Sequence, residues 1–337
     1  MPYNGPSSIL PMLDEFIFHW MSLNALFTLP PPAPGPLVLQ GSRTLLLLQG
    51  LRTSLGTTRT DVQLKQDVKE IARADVQIRR SGILVRMGQF GDTVRANWEG
   101  LPQEAALKEL PGIGDFAPHF EDKADAVVGL WSVINGSPAP VGIPLPLTLV
   151  AVSITVPAPP PPPYTQANFV ADVAALRTAH TALKNAEGAL DLARATRTSW
   201  EEQILGYLPD YRAAVEAKLP ADHPLLSTVP RFSPLPGSTP DAANASGSWD
   251  AVAQLAALTY APSPSASVVS YQLRYVAGPD YHTDDENVVA THAAGSPAHF
   301  ETLLGLPAIG TTASYRIYAI TADGNERGSN TVVVTRV

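Results

Sequence analysis

The densest set of groups able to titrate or to hold a cation is His282, His292 and His299 with Asp280, Asp284, Asp285 and Glu286. Several carboxylates from one loop suit a hard cation and imidazoles suit a transition metal, but neither ligand spacing is met, so a solvated acidic loop is expected, with a weak calcium site as the alternative, and no metal or cofactor is assigned. The adjacent acids Asp14-Glu15, Glu121-Asp122 and Glu201-Glu202 fall on helices. Neighbours in sequence diverge around a helix axis, so these pairs predict solvated faces in place of a general acid and base on one substrate. A nucleophile elbow and a phosphate-binding loop are both missing, and Pro111-Gly112-Ile113-Gly114 is too short for a dinucleotide fingerprint. Arg73, Arg79, Arg80 and Arg86 form the strongest basic cluster, yet Asp67, Glu70 and Asp75 are interleaved with them, which favours a charge network between helices over nucleic-acid binding. No catalytic set emerges.

Composition narrows the classes further. The 337 residues carry 23 Lys+Arg against 31 Asp+Glu, a net charge of -8 that gives no reason to approach nucleic acid or an anionic membrane. With no cysteine, thiolate chemistry, zinc-thiolate sites and disulfides are excluded. The first basic residue is Arg43, so a cleavable secretory signal is not expected. The stretch from Ile9 to Leu29 is nearly apolar enough to span a membrane, but Asp14, Glu15, His19 and Asn24 interrupt it, and a buried helix is predicted instead.

The positioning elements follow from periodicity. Phe16, Trp20, Leu23 and Phe27 recur at helical spacing, with further apolar residues off that stripe. An over-apolar helix of this kind predicts either a core helix or one covered by a neighbouring copy. Helices are predicted over Leu45 to Trp98, from Phe116 to Ile134, and from Thr165 to Leu208, with a short segment from Tyr211 to Leu219. In the fourth, Leu176, Leu183 and Leu190 alternate with Ala179, Ala186 and Ala193 in a seven-residue repeat, the mark of close antiparallel packing. Residues 1–219 are therefore expected to form an elongated up-down helical bundle.

A Pro-rich insertion at 138–163 holds the charge-free run from Leu147 to Val156, including Leu149, Val152 and Ile154. Its β-branched content predicts one strand between polyproline spacers, which must find a partner within the chain, in another subunit, or along a helix surface. Residues 220–245 read as a Pro-rich linker, and beyond it the period changes to two, giving short strands over 246–337.

Over that last segment the sequence resembles a fibronectin type III domain. The residues that carry the likeness are Ser270 to Tyr275, like a central strand, and Ser314 to Thr331, like the last hairpin. Leu306 to Tyr315 is similar to the family's tyrosine corner, with Tyr315 as the anchoring phenol, and Tyr260 stands where the family usually has a buried tryptophan. The fold class expected is thus multidomain, α plus all-β, with a helical bundle followed by a fibronectin type III-like β-sandwich.

Two functions compete. One is a non-enzymatic structural subunit that self-associates, as a fibre or surface assembly, through Phe16, Trp20, Phe27, Leu147, Leu149, Val152, Ile154 and Val156, and displays the sandwich. The other is an adhesion or ligand-binding protein whose sandwich loops, with Tyr281, Asp284, Asp285, Glu286, Asn325 and Arg327, take a surface glycan or a protein. An enzyme with its site between bundle helices is the third and weakest. The sandwich favours the cell exterior, by a route without a cleavable signal, and the cytoplasm is the alternative.

Overall fold

The computed structural model describes residues 6–27, 35–108, 117–140, 142–149, 163–231, 239–322 and 325–337. A helical N-terminal region is followed by a C-terminal antiparallel β-sandwich of two sheets, as the sequence predicts. The helices are α1 (Pro6–Phe27), α2 (Leu45–Asn97), α3 (Pro102–Lys108), α4 (Ala117–Gly136), α5 (Gln166–Lys218) and α6 (Pro224–Ser227). Two compact units result, one of Met1–Ile71 with Asn185–Val337 and one of Ala72–Lys184, so the long helices α2 and α5 each contribute to both.

In the first unit, Phe16, Trp20, Leu23 and Phe27 of α1 are buried against Leu48 and Leu55 of α2 and Ile204, Leu208, Tyr211 and Val215 of α5. Trp20 stacks on Tyr211 at 4.7 Å between centroids, and Phe16 meets the same ring edge-on at 6.0 Å. His19, also buried, accepts at Nδ1 from the Tyr211 hydroxyl (2.6 Å) and donates from Nε2 to the Leu225 carbonyl (2.9 Å). A carbonyl only accepts, which fixes the tautomer. The α1 residues expected to face another copy are therefore interior to their own chain.

α5 also corrects the sequence reading, because it continues through Pro209 where two segments were expected. The proline forfeits one backbone bond, and burial of Leu208, Tyr211 and Val215 along one stripe holds the helix together across it.

The second unit packs Ile83, Met87, Phe90 and Val94 of α2 against Phe120, Val127, Trp131 and Ile134 of α4 and Phe169, Val173 and Leu176 of α5. Phe90 stacks on Trp131 at 5.0 Å. The insertion begins in this core. Leu147 and Leu149 are buried in it, the Trp131 indole donates to the Leu147 carbonyl (3.1 Å), and the Leu147 amide donates to the Asn135 side chain (2.8 Å). Leu149 and Tyr164 exchange two backbone bonds of 2.8 and 3.1 Å, a partner within the chain that the sequence did not suggest. Val152, Ile154 and Val156 lie outside the described residues.

The sandwich has strands β1 (Asn244–Asp250), β2 (Leu255–Ala261), β3 (Val268–Ala277), β4 (Asn287–Ala293), β5 (His299–Thr302), β6 (Thr312–Thr321), β7 (Glu326–Gly328) and β8 (Val332–Thr335). One sheet runs β1-β2-β5; the other runs β4-β3-β6-β7, with β8 also paired to β6. Alternate residues of β6, Ala313, Tyr315, Ile317 and Ala319, face a core shared with Leu258, Tyr260, Tyr271, Leu273 and Phe300. The Tyr315 hydroxyl donates to the Leu304 carbonyl at 2.7 Å, the tie expected of it. Tyr260 is buried between Tyr271 and Phe300, at centroid distances of 4.7 and 5.7 Å.

Candidate functional site

The acidic loop between β3 and β4 was the strongest candidate in the sequence, and its geometry decides what it can do. From Leu273 to Val276 β3 is buried on both faces, one toward the sandwich core and the other carrying Arg274, which is 1% exposed. A guanidinium so placed needs full pairing. Arg274 donates from Nη1 to Glu286 Oε1 (2.7 Å) and Glu326 Oε1 (2.9 Å), from Nη2 to Glu326 Oε2, and from Nε to Gln272 (2.7 Å). It also lies over the Tyr318 ring, 3.9 Å from the centroid.

Glu286 is equally buried, and its second oxygen accepts from the hydroxyls of Tyr281 and Tyr318, each at 2.7 Å. Burial and the Glu286 charge raise both phenols, Tyr318 to about 12 and Tyr281 further. Burial alone would depress Arg274, but its bonds to Glu326 and the charges of Glu286 and Glu326 outweigh that and hold it above the usual arginine range. Two protonated phenols, two carboxylates and one guanidinium therefore satisfy each other. Neither phenol nor the guanidinium is poised to move a proton near neutral pH.

Asp285, one residue earlier, points the other way. Its carboxylate accepts from Arg197 Nη1 at 2.6 Å and from Arg194 Nη2, and Arg197 donates as well to the Asp284 carbonyl at 2.8 Å. Both arginines come from α5, one turn apart on the same face. The loop is thus a joint within the first unit. Tyr281, Asp285 and Glu286, predicted to meet a ligand, are taken up by the protein itself. Asp284 and Arg327 have exposed side chains, while the Asn325 backbone is tied to Thr321 by bonds of 2.9 and 3.2 Å. Among the described residues, no group of three or more His, Asp or Glu is placed to hold a metal ion. His292 stacks on Phe300 at 4.1 Å.

A second contact lies beside this joint. Gln63, on α2, donates to the Tyr275 hydroxyl, and Glu70 is packed against Gly278 so closely that a Cβ there would sit 3.0 Å from its carboxylate. Gly278 has φ +99°, so glycine is required on two counts. Between them Gln66 is buried and Asp67 half-buried, and the Gln66 amide and Asp67 Oδ1 make no hydrogen bond among the described residues. Burial, with the Glu70 charge next, pushes Asp67 up to about 6. Sequence reasoning placed Asp67 and Glu70 in a charge network with arginines and missed this contact with the sandwich.

The paired acids split as predicted. Asp14, Glu121 and Glu201 turn toward Arg52, Arg177 with His180, and Arg59, while Glu15, Asp122 and Glu202 are exposed. In the arginine cluster on α2, Arg79 pairs with Asp75 of its own helix and also feels the Asp172 charge on α5. Arg80 lies over Phe120, and Arg86 bonds Gln89 and lies over Tyr164.

α2 carries the largest surprise. Leu64, Val68, Ile71, Ile78 and Val85, which mark the helix in the sequence, are between 44% and 57% exposed. The buried positions beside them are Val62, Gln66, Glu70, Ala74 and Ile83.

No protein-family profile matches the chain, and no curated protein does either. Among solved structures, it is similar to pectate lyase Pel3 from Pectobacterium carotovorum, at 13% identity and TM-score 0.24, over 28% of this chain and 27% of that one. Pectate lyase PelI from Erwinia chrysanthemi, in complex with tetragalacturonic acid, aligns at 14% identity and TM-score 0.24 over 28% of each chain. A Fn3-like protein from Clostridium thermocellum aligns at 20% identity and TM-score 0.22, over 29% of this chain and 94% of that one. The match spans about a quarter of each lyase, and these scores add nothing to the two-sheet sandwich described above.

Proposed function

We propose that this chain is a non-enzymatic structural subunit that self-associates through its helical part and carries a fibronectin type III-like module. The observation behind this reading is the row of half-exposed aliphatic side chains on α2, from Leu64 to Val85, on a face with no apolar cover among the described residues. Apolar surface arranged in a continuous line favours a partner over water. The row takes the role first given to Phe16, Trp20, Phe27, Leu147 and Leu149, which are interior. The module reading draws on the strand order, β1-β2-β5 against β4-β3-β6, and on the Tyr315 tie to Leu304. The adhesion alternative is weakened because Tyr281, Asp285 and Glu286 are spent inside the protein.

Sedimentation velocity across a concentration series up to high micromolar tests the reading. A mass above one chain, lost in the variant Leu64→Lys/Ile71→Lys/Ile78→Lys with its thermal melt retained, supports it. A chain that stays monomeric throughout overturns it.

A further inference from the structure

We infer that the face of α2 pairs with the same face of a second copy, antiparallel and about a two-fold axis, an inference that rests on the self-association reading. Thr57, Leu64, Ile71, Ile78 and Val85 repeat every seven residues, as do the buried Leu48, Leu55 and Val62 and, farther along, Ile83 and Phe90. A strict heptad keeps a row in line only on a helix wound left-handedly, so both faces of α2 are in phase with such winding. A second helix with the same repeat can therefore follow the exposed row for its roughly 30 Å, at 1.5 Å per residue.

The charges along one edge of the row choose the partner and its direction. Asp61 pairs with Lys65 (3.8 Å), and two heptads later Asp75 pairs with Arg79 (2.9 Å), all four side chains being more than 40% exposed. In the antiparallel register that sets Asp61 against the partner's Arg79, Lys65 meets the partner's Asp75. Arg86 then falls opposite the partner's Ser54, so no like charges oppose each other along this edge. In a parallel pair this edge would face the opposite edge of the partner's row, so the reciprocal Asp61–Arg79 and Lys65–Asp75 contacts would not form. In the antiparallel register the aliphatic residues interleave, Ile71 fitting between the partner's Val68 and Ile71. An isologous contact of this kind closes on itself and produces dimers.

The cysteine-free chain allows thiols to be placed one at a time. Lys65→Cys and Asp75→Cys proteins are treated, separately and mixed, with a bifunctional maleimide whose span is well under the ~15 Å that would part Lys65 from the partner's Lys65 in this register. The inference expects about tenfold more covalent dimer from the mixture than from either variant alone, the ratio a 1.4 kcal/mol preference gives. Efficient cross-linking of each variant with itself overturns the antiparallel direction. A non-covalent oligomer that cross-links in neither case overturns the register and leaves self-association standing. A monomer overturns both.

Discussion

Asp67 offers a test of the contact between α2 and the sandwich. Its folded-state carboxyl titrates near 6, mainly because burial removes water from it and secondly because Glu70 is close. The unfolded carboxyl titrates near 3.9. Between those values the folded state binds more protons than the unfolded state, so this group makes stability fall as pH rises. Its ionised form weakens the fold at pH 8, and the penalty disappears as pH drops through 6 toward 4. Two pH units correspond to about 3 kcal/mol at most, and the partial exposure of the side chain screens this to about 1–2 kcal/mol. Asp67→Asn keeps the shape and removes the charge. Urea unfolding of both proteins at pH 8 and pH 4.5 should show the variant gaining that amount at the higher pH relative to the lower. An equal difference at both pH values, or a variant that loses more at pH 8, would refute the burial argument.

Two other changes probe the sandwich and its joint. Asp285→Ala leaves Arg194 and Arg197 without their shared carboxylate, Arg197 being 8% exposed, and should cost about 3–5 kcal/mol in urea unfolding, with Arg197→Met in the same chain recovering part of it; a loss under ~1 kcal/mol would mean the pair does not hold the joint. Tyr315→Phe removes the donor to the Leu304 carbonyl and should cost about 1–3 kcal/mol while the far-ultraviolet dichroism stays that of the wild type.

The long helices were legible because heptads of leucine and alanine leave a strong period. Which face of α2 is buried was not legible. From residue 62 to 74 the buried positions are Val62, Gln66, Glu70 and Ala74, less apolar than the exposed Leu64, Val68 and Ile71. Part of that face meets Leu190 and Ala193, and part meets Tyr275 and Gly278, where a hydroxyl and a bare backbone favour polar partners. Hydrophobic pattern alone points the wrong way there. β1, which starts two residues inside the presumed linker and runs into the expected sandwich, was missed because Asn244–Asp250 has little apolar alternation; it is an edge strand defined by seven pairings with β2. α3 and α6 are too short for a periodic signal. In the acidic loop the carboxylates were evident, but their partners Arg194 and Arg197 stand 91 and 88 positions away from Asp285. Only the tertiary fold brings them together.

The two backbone bonds between Leu149 and Tyr164 bring the middle of the proline-rich insert and the residue that follows it to one point beside Trp131 and Phe169. That clasp fixes where the chain leaving α4 enters α5, so the two helices share one anchored corner of their common core.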